Sequence, residues 1–361
     1  MTLESQIINK AIKVQIVKGI NSPSSWLKAC ALIALALTFS PVFSEPLATP
    51  DIDDIEYPED EAPNQMEVEL GKILFFDPIL SANNQMSCAT CHDPNNGFGD
   101  GLKLSIGHDD KPLTRHTPHL YNLAWAHSLF WDGRAPSLEH QVLMPVFDPS
   151  EMNLSQKQML ERIELSPFYK TQFNRVFQQD NIDTHLVSLA IAAFMRSIIS
   201  SNSPFDQYLA GDTNAISTEA VSGLKLFEGK AKCVECHDGA NLTDGSYHSL
   251  GIARSDKGRG FVINDDSMNF RFKTPGLRNV SLTAPYMHDG SIADLEGVIR
   301  FYNDGGGTGP NKDNLMEELN LTEGEIRDLI AFLAALTQPI SIARPSVPNN
   351  FTTDPSIQKK D

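Results

Sequence analysis

Apolar residues recur at helical spacing in several stretches of this chain. In "THLVSLAIAAFMRSIIS", Leu186, Leu189, Ala190, Ala193, Phe194 and Ile198 share one face, which predicts a long amphipathic helix. "LTEGEIRDLIAFLAALT" predicts a second, with Ile326, Leu329, Ile330, Leu333 and Leu336 as its buried stripe. Thr322 is a good N-cap there, and Glu325 three residues on completes a capping box. "LSQKQMLERIELSPFYKTQFNRVF" carries Met159, Ile163, Phe168 and Phe173 at the same spacing, with a break near Ser166-Pro167. "GVIRFYNDGGG" (Gly297 to Gly307) reads as a helix end running into a glycine turn, with Val298, Ile299 and Phe301 as core. Tyr302, large and polar-tipped, is its odd member. No alternation of strands and helices is visible, so the fold class is mainly α with long connecting loops.

Two further stretches resemble each other. "ELGKILFFDPILSANNQMSCATCHDPNNGFGDG" and "VSGLKLFEGKAKCVECHDGANLTDG" each hold a short apolar helix with Leu-Phe (Leu74-Phe75, Leu226-Phe227), a loop, a cysteine motif and an Asp-Gly turn. One structural unit is used twice. The motifs are Cys88-x-x-Cys91-His92 and Cys233-x-x-Cys236-His237. Two disulfides or zinc are the alternatives. A histidine directly after each pair is instead the attachment pattern of c-type haem. The thiols add across the haem vinyl groups and the histidine turns a ring nitrogen onto the iron. The expectation is two cytochrome c-like domains, each with one covalently attached haem c.

The start of the chain reads differently. Lys10, Lys13, Lys18 and Lys28 precede "ACALIALALTF", an apolar run of 11 residues, against roughly 20 needed to span a bilayer. "SPVFS" follows, with Val42 and Ser44 at the −3 and −1 positions of a small-residue cleavage site. This reads as a secretory signal cut near Ser44, giving a periplasmic protein with no membrane span after processing; an uncleaved anchor is the alternative. Cys30 lies in this leader, so all cysteines left after processing belong to the two motifs. Without the first 44 residues, which hold four lysines and one glutamate, the net charge moves from −17 to −20. Nucleic acid and anionic membrane are therefore poor partners. The expected organisation is a signal peptide (1–44), an extended arm (45–66), a first haem domain (67–203), a second (204–340) and a flexible tail (341–361).

From about Leu70 to Leu336 the chain resembles the bacterial dihaem cytochrome c peroxidase and MauG family. The resemblance rests on "LFFDPILSANNQMSCATCHDP", "SIGH", "FWDGRAPSLEHQ", "SPFDQYLAGD" and "TPGLRNVSLTAPYMHDGS". It implies that the N-terminal haem reacts with hydrogen peroxide and that the C-terminal haem stores or relays electrons, with His92 and His237 as proximal iron ligands. Gln141 and Glu151 match the distal pair at the peroxidatic haem. Peroxide cleavage needs a proton moved from the inner to the outer oxygen, which one nearby carboxylate can do as base and then acid. Trp131 matches the tryptophan between the haems. His108, in "SIGH", matches a histidine that caps the first haem in the resting oxidised state of many of the peroxidases. Thr283 and Pro285 match two carbonyl donors to a calcium ion between the domains; the third position, commonly asparagine, is His116 here, and imidazole is a poor calcium ligand beside oxygen. Dimerisation, as in many relatives, is a further expectation.

The sixth ligand of haem two separates two branches. The typical peroxidases place a methionine fourteen residues after the histidine of "YMHDG"; counting from His288 reaches Tyr302, as in the MauG-like branch. A thioether favours ferrous iron, whereas a phenol oxygen favours oxidised states. The first expectation is a periplasmic peroxidase reducing peroxide to water with electrons from a cytochrome c or cupredoxin. The alternatives are a MauG-like oxidase that modifies aromatic residues of a protein substrate, and a non-catalytic dihaem electron carrier.

Overall fold

A computed structural model describes residues 44–58 and 62–348. The expected signal peptide up to Phe43, and residues 349–361 of the expected tail, lie outside the described residues. The chain enters as an irregular arm with one turn at Ile52–Asp54. Twelve α-helices follow among the described residues: α1 (Gln65–Phe76), α2 (Cys88–Cys91), α3 (Leu138–Gln141), α4 (Met144–Phe147), α5 (Gln156–Leu165), α6 (Pro167–Phe177), α7 (Thr184–Arg196), α8 (Pro204–Leu209), α9 (Thr218–Glu228), α10 (Arg259–Ile263), α11 (Leu295–Asn303) and α12 (Glu323–Ala335). The described strands, β1 (Tyr247–His248) and β2 (Phe272–Lys273), form one short antiparallel pair with Tyr247 opposite Lys273. The mainly helical reading of the sequence is borne out.

Local chemistry sets the helix ends. Ser166 ends α5 and caps α6, and Pro167 opens α6 at a position that needs no N–H. At α12, the Thr322 hydroxyl accepts from the Glu325 amide, and the Glu325 carboxylate accepts from the Thr322 amide at 2.8 Å. That is the capping box read from the sequence.

Two apolar cores result. In the first, α1 packs across α7, bringing Phe75 edge-on to Phe194 with ring centres 5.1 Å apart. In the second, α9 packs across α12, and Phe227 and Phe205 both meet Phe332. Each crossing is closed by a glycine. A Cβ on Gly71 would lie 1.7 Å from the Ala190 carbonyl oxygen, and one on Gly223 would lie 2.0 Å from that of Asp328. The duplicated sequence unit is a duplicated helix crossing.

Polar groups join the two halves. Asn122 donates to the Ser200 carbonyl at 2.9 Å and to Asn241 Oδ1 at 2.8 Å. Arg278, 1% exposed, pairs with Asp206 at 2.9 Å and also donates to the carbonyls of Ala240 and Ala48. Residues 341–348, the described part of the expected tail, are irregular chain laid on the first core. Ile342 and Val347 pack there, and the Arg344 guanidinium sits 5.9 Å from the Phe76 ring centre.

Candidate active site

The two cysteine motifs are built alike. Cys88–Cys91 forms one helical turn, started by Ser87, whose amide donates to Thr90 Oγ1 at 2.9 Å. His92 closes the turn by donating its amide to the Cys88 carbonyl. Its ring Nδ1 lies 3.0 Å from the Phe98 carbonyl. In the second motif His237 donates to Cys233 in the same way, and its Nδ1 lies 3.0 Å from the Leu242 carbonyl. A carbonyl only accepts, so both rings carry their proton on Nδ1 and offer the Nε2 lone pair. Burial pushes both imidazoles below their ordinary pKa, which keeps that lone pair available. All four thiols are free rather than disulfide-bonded. Burial pushes Cys88 and Cys233 up to about 12 and Cys91 up to about 11. Paired free thiols beside an oriented imidazole are the donor set a covalently attached haem requires, twice.

Of the expected distal residues, Glu151 and His108 are linked near the first motif, and Gln141 lies on α3. Gln141 ends α3, and its buried Oε1 has no hydrogen-bond partner among the described residues. Glu151 sits in the turn after α4; burial first, then the charge of Asp148, raises its carboxyl pKa, against an opposing pull from Arg134. The Glu151 charge is felt at Cys91, so it lies near the haem attachment point. His108 donates its amide to the Glu151 carbonyl at 2.8 Å. Its Nε2 lies 3.2 Å from Asp109, while its Nδ1 is buried and unpartnered. The "SIGH" loop is therefore docked on the loop that carries Glu151.

Trp131 bridges the halves. Its indole N–H donates to the His116 carbonyl at 2.8 Å, and its own carbonyl accepts from the Lys273 amide on β2 at 2.7 Å. Around it lies a cluster that the sequence reading assigned no role. Arg115 pairs with Asp132 at 2.6 Å and with Asp256 at 2.7 Å, and Arg134 also pairs with Asp132. Asp132 and Arg134 belong to "FWDGR", so the motif held the signal; Arg115 and Asp256 come from distant loops. His248 is likewise gripped, by Asp244 at 2.8 Å and Asp313 at 2.9 Å. Cys236, Asp244 and His248 offer ligand atoms within 4.8 Å of one another. Thioether formation at Cys236 removes it from any such set.

Of the three oxygen donors in the calcium expectation, the one at position 116 is replaced by a histidine. The His116 ring Nδ1 is engaged with the Leu102 carbonyl at 3.0 Å, and the His116 carbonyl is taken by Trp131. Thr283 turns its hydroxyl onto the Val280 carbonyl, and the Ala284–Pro285 peptide bond is cis. No side-chain oxygen stands where the family places the asparagine amide, and no step below runs through calcium.

Tyr302 lies in the last turn of α11. Its phenol is pushed above the ordinary range by burial first, then by the neighbouring sulfurs of Cys233 and Cys236. It forms no hydrogen bond through its hydroxyl among the described residues. The phenol thus lies within electrostatic reach of both cysteines of the second motif.

Comparison with known proteins agrees. The family described as di-haem cytochrome c peroxidase matches residues 65–214, and the cytochrome c family matches residues 220–337. The chain is 41% identical to the methylamine utilization protein MauG of Methylorubrum extorquens, over 82% of this chain and 85% of that one. It is 35% identical to the cytochrome c551 peroxidase of Nitrosomonas europaea, over 74% of this chain and 79% of that one. A solved structure of a MauG-like protein associated with microbial copper homeostasis matches with a TM-score of 0.73 at 29% identity, covering 83% of this chain and 95% of that one. With paired free thiols, oriented histidines and this similarity along both halves, the chain belongs to the dihaem cytochrome c peroxidase and MauG family, carries two covalently bound haem c groups and is an oxidoreductase that uses peroxide.

Proposed function

We propose that this chain spends peroxide on the oxidation of a partner protein's aromatic side chain, in the manner of the MauG-like branch. The carrying observation is Tyr302 at the expected spacing after His288, with its phenol desolvated and within electrostatic reach of Cys233 and Cys236. Greater identity to the MauG relative than to the peroxidase supports the same reading. Thioether bonds from Cys88 and Cys91, and from Cys233 and Cys236, would hold the haems, with His92 and His237 on the irons and Tyr302 as the sixth ligand of the second. When bound, the two haems supply the electron transfer.

The chain's own groups manage protons and position. Glu151 takes the proton of the inner peroxide oxygen and returns it to the outer one, so the O–O bond breaks with water as leaving group. Its raised pKa suits a group that must both accept and release a proton. Gln141, with an unpartnered buried carbonyl oxygen, orients peroxide by accepting its O–H. Trp131, fixed at both its indole N–H and its carbonyl, stands between the halves on the electron path. Each peroxide takes up two electrons and two protons to give two waters. The electrons come from the partner residue, which is oxidised by two.

His108 favours a second reading. Its buried, unpartnered Nδ1 beside the Glu151 loop suits a resting cap on the first haem, as in a peroxidase fed by a cytochrome c or cupredoxin. Peroxide turnover with reduced cytochrome c, read beside the optical spectrum, separates the two. A long-lived oxidised state without donor oxidation is expected. Rapid donor oxidation would replace the oxidase with the peroxidase. Export to the periplasm is part of either proposal.

A further inference from the structure

The described chain begins at Ser44, and Glu45 is already anchored. Its backbone nitrogen donates to Asp238 Oδ2 at 2.7 Å, and its carbonyl accepts from the Gly239 amide at 3.3 Å. Asp238 directly follows the haem ligand His237. The anchoring continues along the arm. Leu47 packs on the second core, Ala48 gives its carbonyl to Arg278, and the Asp51 carbonyl accepts from the Trp125 indole at 3.2 Å. Asp238 forms no ion pair with a Lys, Arg or His side chain among the described residues. It is a carboxylate held against one backbone nitrogen and lacking a cation.

The small-residue pattern of Val42 and Ser44 puts the export cut between Ser44 and Glu45, so that nitrogen is also where the mature chain would start. We propose that the processed N-terminus is a built part of the second haem site: the new α-ammonium of Glu45 is the missing cation for Asp238. Hydrolysis of the Ser44–Glu45 amide by an export peptidase, with water as co-reactant, leaves a carboxylate on Ser44 and an ammonium on Glu45. The neutral N–H donor at 2.7 Å becomes a charge-assisted one, in a contact already formed. The register is strict. A cut one residue later removes the donor, and a cut one residue earlier moves the charge about 3.5 Å along the chain. The pair clamps the Asp238–Gly239 turn that leaves His237, so maturation and the second haem's ligand loop are linked. The inference rests on the export reading of residues 1–44 and is independent of which protein supplies electrons.

The test uses holoprotein purified from the periplasm, with two haems per chain confirmed for each variant. Intact mass gives the first residue, expected to be Glu45. Thermal unfolding is then compared for the wild type, Asp238→Asn, a chain with one alanine inserted between the cut and Glu45, and the combination. Each single change is expected to lower Tm by roughly 2–5 °C, and the combination by no more than either alone. A mature chain starting elsewhere overturns the proposal, as does an insertion without effect or a pair of effects that simply add. The insertion leaves the haem motif untouched, so it decides the matter even where Asp238→Asn loads haem poorly.

Discussion

At the scale of single residues, two side chains carry the proposed chemistry. In that proposal Glu151 acts from its ionised form, and its pKa is raised by burial and then by Asp148. The peroxide rate is therefore expected to fall, on acidification, at a higher pH than an ordinary carboxylate near about 4.3 would dictate. Glu151→Gln should lower the peroxide rate by roughly 10²–10⁴-fold and abolish that acid limb; stopped-flow rates across pH check both. Retention of both haem spectra in the variant separates lost chemistry from lost folding, and an undiminished rate would remove Glu151 from the proposed proton transfer. Tyr302→Phe keeps the ring and deletes only the oxygen. The expected outcome is a changed spectrum for the second haem with little change in melting temperature. An unchanged spectrum would make Tyr302 a packing residue.

Among elements, the paired helix crossings are the most demanding feature. Neither Gly71 nor Gly223 leaves room for a methyl group, because the obstacle is a helix backbone carbonyl on the opposing helix. Gly71→Ala and Gly223→Ala are each expected to cost about 3 kcal/mol, at the upper end for overpacking, read as lowered midpoints in denaturant melts. These glycines stood at matching places in the duplicated stretches, three residues before Leu74 and Leu226, yet the sequence reading singled out only the Leu-Phe pairs. The helices themselves were legible, because apolar spacing, Ser166-Pro167 and the Thr322–Glu325 box are local signals. The haem motifs were legible for the same reason: each occupies five consecutive residues. The surroundings of the first motif were legible only through family resemblance, since Glu151 and His108 meet through loops of no regular period. The carboxylates that grip His248 lie 4 and 65 residues away, and no pattern in the sequence announces them.

For the whole molecule, the buried Arg278–Asp206 pair ties the second core to the N-terminal arm. Burial alone would raise the Asp206 pKa, but the hydrogen bond and charge of Arg278, with Ser203, hold it below its ordinary value. A depressed carboxylate contributes stability above the unfolded-state pKa, about 3.9 for Asp. That contribution is lost as pH falls through the lower folded value. Asp206→Asn is thus expected to cost about 3–5 kcal/mol near neutrality, by leaving a buried guanidinium unpaired. The difference from wild type should shrink below about pH 4; urea melts from pH 3 to 7 measure it.

Arg278 also imposes an order in time. Its contact to the Ala48 carbonyl joins residues 230 positions apart. In a chain exported from its N-terminus, Ala48 emerges early and waits for nearly the whole length to follow. Cys88 and Cys91 are available for haem attachment well before Arg278 arrives, and Cys233 and Cys236 shortly before it. Such a distant contact closes late, because loop entropy must be overcome first. If the chain is exported as proposed, Ala48 is accordingly among the last residues to settle, and a chain halted before Arg278 can attach its first haem and dock Glu45 on Asp238 but cannot make the Ala48 contact.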